Sequence, residues 1–209
     1  MASLEIDHVI FAVRDLDTAA ARFLATYGLV AVAGGRHIGH GTGNRLIPLG
    51  GAYLELMAVV DVEEARGSAL GRRVLEWTAL GDRPAAVCLR TDDIEEVCSE
   101  RGLVVAPMQR VNDDGVMLRW RLAGLDEALG PDALPFFIEW DVEPGLHPAE
   151  INVNHPCGAA AIDRVMLGGE ETRMAGWLGQ PGLGLDVDPG PPGVRAVFLA
   201  AGGSTIRVD

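Results

Sequence analysis

The chain switches repeatedly between two hydrophobic periods, one of about two residues and one of about 3.6. Leu4–Val13 (LEIDHVIFAV) is rich in β-branched residues and reads as a strand. After Asp15-Leu16-Asp17, the positions Leu16, Ala20, Phe23, Leu24 and Tyr27 fall on one helical face. Asp15 or Asp17 is placed to cap the first turn, and Gly28 to end the helix. Strand-like runs follow at Leu29–Ala33, Arg45–Pro48 and Ala52–Val59, with glycine-rich turns between them. The order is β-α-β-β-β.

The same order returns twice. Ala85–Arg90 is strand-like, Asp93-Ile94-Glu95 opens a helix ending at Gly102, and strands are expected at Val104–Ala106, Met117–Leu122 and Pro135–Trp140. In the third segment Ile162-Asp163-Arg164-Val165 echoes Ile6-Asp7-His8-Val9. A short helix from Glu170 to Leu178 follows, then strands at Leu183–Val187, Val194–Ala200 and Ser204–Val208. The Asp188–Gly193 loop between them is too proline-rich for a strand. This predicts an α+β protein of repeated βαβββ modules forming open, cupped mixed sheets. Three module-like segments are expected, at residues 1–60, 84–142 and 160–209, with a helical connector at 61–83 and a Pro/His connector at 143–159. An α+β domain with accidental repeats is the alternative.

Alternation in the first strand puts Ile6, His8, Ile10 and Ala12 on one face, and in Ala52–Val59 it groups Tyr53, Glu55 and Met57. An acid between Leu54 and Leu56 is costly to bury alone, and Glu139 repeats the oddity inside FFIEW. A shared cation would offset both the repulsion and the desolvation, with His8 adding a nitrogen. Burial against Arg36, Arg119 or Arg121, or placement on open sheet faces, would serve equally. The Gly34–Gly43 passage lacks a P-loop ending and precedes a strand, so it reads as a hairpin rimming the cup. It brings His37, His40, Thr42 and Asn44, of which His37 or His40 suits acid/base work near neutral pH. His155, Trp120 and Arg121 are further candidates for ligand contact, although Trp120 and Trp140 also suit core packing.

IDHVIFAVRDLDTAAARF followed by YLEL, with GGRHIGHGTGNRLIPLGGAYLEL, LRWRL, PFFIEWD and NHPCG, resembles the glyoxalase-like subfamily of vicinal-oxygen-chelate proteins. The resemblance implies paired modules around a divalent metal (zinc, nickel, cobalt, manganese or iron) held by His or Glu from first and fourth strands. It points to His8, Glu55 and Glu139 as ligands; with the residue reading above, Glu55, Glu139 and His40 stand as catalytic candidates and His37, Thr42, Asn44, Trp120, Arg121 and His155 as substrate contacts. The implied activity is a lyase, isomerase or dioxygenase acting on a small oxygenated metabolite. The alternative is a metal-free binder like the drug-sequestering bleomycin-resistance proteins. Ala86 stands where the second module would carry its first-strand ligand, so one usual position is unfilled. Arg164 and Arg207 occupy the matching places in the third segment, which excludes a metal there and reads as surface residues or as anchors for an anionic group. The resemblance also implies a homodimer.

The formal charge of −13 disfavours nucleic acid and anionic membranes as partners. Cys88, Cys98 and Cys157 form neither a CxxC motif nor an even set, so disulfides and zinc ribbons are disfavoured. The N-terminus lacks signal-peptide features, which makes a reduced cytoplasm the expected compartment.

Overall fold

The computed structural model describes residues 2–111 and 115–209. The first repeat is β1 (Leu4–Ala12), α1 (Leu16–Tyr27), β2 (Val32–His37), β3 (Thr42–Leu49) and β4 (Ala52–Val59). Two helices follow, α2 (Val62–Gly67) and α3 (Ala69–Thr78). The second repeat is β5 (Arg83–Thr91), α4 (Ile94–Arg101), β6 (Ala106–Val111), β7 (Met117–Ala123), a short helix α5 (Leu125–Leu129) and β8 (Phe136–Asp141). The remainder is β9 (Ala159–Gly169), α6 (Glu171–Leu178), β10 (Leu185–Pro189), β11 (Gly193–Ala201) and β12 (Ser204–Val208).

Local chemistry explains the helix limits. Of the two aspartates at the start of α1 it is Asp15 that caps, accepting from the Thr18 N–H at 2.8 Å, and Asp93 does the same for α4 through Glu96. Ser68 breaks the expected connector helix in two, because its hydroxyl caps α3 by accepting from Gly71 N. The second and sixth strands start later than the apolar pattern suggested. β2 is the glycine-rich VAGGRH, and the apolar Leu29 before it lies buried in the connection from α1.

The two repeats share one eight-stranded sheet in the order β2-β3-β4-β1-β5-β8-β7-β6. Within each, first and fourth strands pair in parallel (β1 with β4, β5 with β8), and β1 joins the repeats antiparallel to β5. The sheet curls until its edges nearly meet, and the Arg110 guanidinium of β6 donates to the Gly34 carbonyl of β2 at 2.6 Å. The third segment keeps the element order but not the strand order, since β9 lies between β10 and β11 in a separate sheet, β10-β9-β11-β12.

Two cores result. Behind the large sheet, Val9, Phe11, Leu54, Leu56, Val87, Leu89 and Phe137 pack with α1, α4, α6 and the inner face of the second sheet. On the concave side, Val74 and Trp77 of α3 and Ala128 of α5 plug part of the cup against Ile10, Ala12, Met57, Ala86 and Phe136. The rest of the cup is open space. Among the described residues no helix is long and apolar enough to cross a membrane.

Candidate active site

The cup encloses a cavity of about 530 Å³ whose lining includes His8, His37, His40, Asn44, Tyr53, Glu55, Arg110 and Trp120. Strand geometry decides which side chains enter it. In β4 strict alternation sends Tyr53, Glu55 and Met57 inward and Leu54 and Leu56 into the core behind. β1 does not alternate throughout. Its register with β5 slips between Ile6 and His8, so Ile6 packs behind the sheet while Asp7 and His8 turn to the same side. The expected common face of Ile6 and His8 is therefore corrected by a bulge.

Asp7 is fully buried and accepts three N–H groups. His8 Nδ1 lies 2.6 Å from Oδ1, and Trp140 Nε1 and His147 Nε2 each lie 3.0 Å from Oδ2. Burial alone would raise its pKa, but the hydrogen bonds from His147 and His8 prevail and hold the carboxyl well below the usual range. A charged Asp7 fixes the proton on His8 Nδ1 and leaves Nε2 for the cavity. The His8 ring is clamped by stacking on Tyr53 at 4.7 Å and by the edge of Phe136 at 5.6 Å.

Glu55 lies opposite. Its Oε2 is 3.5 Å from His8 Nε2, and its Oε1 accepts from Asn44 Nδ2 at 2.5 Å and lies 3.7 Å from His37 Nε2. Thr42 Oγ1, 3.0 Å from His37 Nδ1, holds that ring from behind. His40 is tied at Nδ1 to Ser68 Oγ at 2.9 Å. Burial lowers the His37 pKa despite the nearby Glu55, so the ring is neutral around pH 7. Burial also pushes the Tyr53 hydroxyl and the Cys88 thiol well above their ordinary values.

Of the residues singled out from sequence, His8, Glu55, His37, His40, Asn44 and Trp120 meet at this cavity, with Thr42 supporting His37. Three do not. Glu139 lies on the opposite face of β8, whose inward residues are Phe136, Ile138 and Trp140. There it pairs with Arg121 at 2.5 Å and accepts from the Ile94 N–H that opens α4, so both its burial and Arg121 have a structural explanation. The expected ligation by Glu139 and ligand contact by Arg121 are thereby corrected. His155 is likewise committed to the backbone, with Nδ1 accepting from Val30 N and Nε2 facing Pro48 O at 2.7 Å. Three residues of the site were missed. Asp7 and His147 lie behind His8, and Arg110 lies on the wall. The signal for Asp7 was its adjacency to His8, since two neighbouring polar residues in an apolar strand require a bulge if both are to face one side.

Ligand atoms of Asp7, His8 and Cys88 also lie within 4.8 Å of one another. They are a poor metal-binding set. The Asp7 oxygens are occupied by three N–H donors, and the buried Cys88 holds its proton, whereas metals bind thiolate.

The glyoxalase-like domain family matches residues 6–181, and the chain belongs to that family, within the vicinal-oxygen-chelate superfamily. One solved structure agrees at the level of fold. A hypothetical protein from Staphylococcus aureus is 18% identical with a TM-score of 0.73, the match covering 98% of each chain. Methylmalonyl-CoA epimerase of Streptomyces coelicolor, in complex with 2-nitronate-propionyl-CoA, is 20% identical over 67% of this chain and 100% of its own, with a TM-score of 0.49. The Mycobacterium tuberculosis epimerase is 19% identical over 68% of this chain and 90% of its own, with a TM-score of 0.47. No curated protein matches the sequence.

Proposed function

We propose that this chain is a small-molecule enzyme whose reacting centre is the His8–Glu55 pair, with a divalent ion held between the two side chains. The observation that carries this is the approach of His8 Nε2 to Glu55 Oε2, 3.5 Å, in a cavity otherwise lined largely by apolar groups. With the proton of His8 on Nδ1, two acceptors face each other, an arrangement that a cation between them satisfies. Two ligands with bonds of about 2.0–2.2 Å to one ion stand roughly 3–3.5 Å apart, so the donor pair fits. The corresponding second-module positions carry Ala86 and Cys88 on β5 and Phe136 and Ile138 on β8, so the remaining coordination is left to water and substrate oxygens.

Such an ion, when bound, polarises neighbouring oxygens of the substrate. The chain supplies the rest. Asp7 orients the His8 ring, as carboxylates behind ligating histidines do. Asn44 holds Glu55 in place. His37, neutral and 3.7 Å from Glu55, accepts a proton at Nε2 from carbon next to a substrate carbonyl and returns it, which is isomerase- or lyase-type chemistry. Trp120, Phe136 and Ile138 exclude water from the reaction. A homodimer belongs to this reading, and sedimentation of the purified chain reads it out.

Equilibrium dialysis followed by elemental analysis tests the centre. The expected result is a single divalent ion per chain, lost in His8→Ala and in Glu55→Gln. If none of zinc, nickel, cobalt, manganese or iron(II) binds, the metal-assisted reading fails. The metal-free binding protein, which the apolar second-module positions favour, then takes its place.

A further inference from the structure

We propose that the cup takes an amphipathic carboxylic acid, with its carboxylate on Arg110 and its apolar body along the β6–β7 wall. This rests on the reading of the cup as a small-molecule site and names the substrate class.

Arg110 is an unusual arginine in this chain. With 30 acidic against 17 basic residues, most arginines sit on a carboxylate, as Arg22 does on Asp82 and Arg45 on Asp17. Arg110 lines the cavity, and among the described residues no carboxylate lies within ion-pair distance of it. One guanidinium N–H goes to the Gly34 carbonyl, which fixes the group while leaving other donors of the fork for a ligand.

Its position relative to the reacting pair is set by β2. The Gly35 N–H donates to Asn44 Oδ1 at 2.8 Å, and Asn44 in turn donates to Glu55 at 2.5 Å. Arg110 is thus tied to Glu55 through one glycine pair and one side chain. The bare backbone of Gly35 lets the guanidinium lie close against β2, where a Cβ would stand 2.5 Å from Arg110 Nη1. Arg110 lines the same cavity as His8, His37 and Glu55, so an anion on it occupies the space those groups face.

The wall leading away from Arg110 is apolar. Arg110 pairs with Leu118 in the β6–β7 ladder and Ala106 with Leu122, and the inward residues between them are Met108 and Trp120. Four residues of strand span about 13 Å. Beyond that wall α5 contributes Asp126 and Glu127 to the lining, so the cavity is cationic at one end and acidic at the other. A single carboxylate suits the cationic end better than a dianionic phosphate, because the Glu55 carboxylate lines the same cavity and the Asp7 carboxylate lies just behind its wall.

The test measures affinities of the full chain for matched acids and amides: hexanoate against hexanamide, phenylpropionate against phenylpropionamide, with hexyl phosphate as the dianion. The acids are expected to bind about tenfold or more tightly than the amides, the scale of a charge-assisted hydrogen bond. Arg110→Gln is expected to erase that preference. Arg110→Lys, which keeps charge but loses the fork, is expected to keep part of it, and it decides the matter if the glutamine variant does not fold. The acid preference is expected to persist in His8→Ala and Glu55→Gln, so the substrate class and the proposed reacting centre fail separately. Parity of acid and amide in the wild type, no binding of either acid, an undiminished preference in the Arg110 variants, or tighter binding of hexyl phosphate would each overturn the proposal.

Discussion

A buried charge is tolerated only when its partners replace water, and Asp7 shows what that requires here. Its two oxygens hold His8, Trp140 and His147 together, so one carboxylate organises three elements of the cup. Asp7→Ala leaves three buried N–H groups without their acceptor, and the expected loss is about 3–5 kcal/mol, read from the urea midpoint at constant slope. Asp7→Asn keeps the volume but not the charge. It is expected to fold and to bind the divalent ion roughly 10–100-fold more weakly, because His8 loses its orienting partner. Unchanged metal affinity in that variant would separate Asp7 from the site and leave it a purely structural residue. The sequence carried the His8–Glu55 pair because each residue is conspicuous within its strand. It did not carry Asp7, whose orientation depends on one register slip, nor His147, which reaches the site from an irregular connector. Glu139 misled for a related reason. An acid amid apolar residues signals burial with a partner, but its face follows from strand parity, and its partner was the cation Arg121 on the other side.

Elements were the most legible level, since caps and periodicity act locally. Asp15 and Gly28 bracket α1 as their residue types demand. The Asp15 carboxyl is held below its ordinary pKa by the Thr18 N–H, so its folded value lies beneath its unfolded one. The cap's contribution is therefore present above the ordinary aspartate range and is lost as pH falls through the folded value. Asp15→Ala is expected to melt lower than wild type at pH 7, with the gap closing below about pH 4. A gap that persists at low pH would mean the carboxylate charge is not what caps the helix. Gly28 has φ of 66°, and a Cβ there would stand 2.9 Å from Cys157 Cβ. Gly28→Ala is expected to cost at least 1–2 kcal/mol by urea titration, about the penalty for a left-handed non-glycine residue. Strands were less legible where glycine replaced apolar side chains. β2 was displaced in the reading because VAGGRH carries little hydrophobic signal, yet those glycines allow Asn44 and Arg110 to approach the backbone.

At the scale of the whole molecule, the third segment departs most from simple repetition. It echoes the earlier segments in sequence, but β9 pairs with β10 and β11, so this segment forms a sheet of its own and does not extend the cup. Its inner face completes the core behind the large sheet, where β11 packs near β5 at the junction of the two repeats. Val165, Leu167, Val194, Val197, Leu199 and Val208 are nearly fully buried there. At roughly 1.5–3 kcal/mol for each such side chain, their removal forfeits on the order of 10 kcal/mol, comparable to the whole stability of a domain. It also leaves Val9, Phe11, Val87 and Leu89 on an uncovered face. A chain ending at residue 159 is therefore expected to lose cooperative melting and to aggregate or bind hydrophobic dye, although every residue lining the cavity precedes that point. Measuring solution mass and thermal unfolding with and without residues 160–209 decides the matter. If the shortened chain stays monomeric and melts cooperatively within a few degrees of the full one, the second sheet is an appendage and the large sheet is stable by itself.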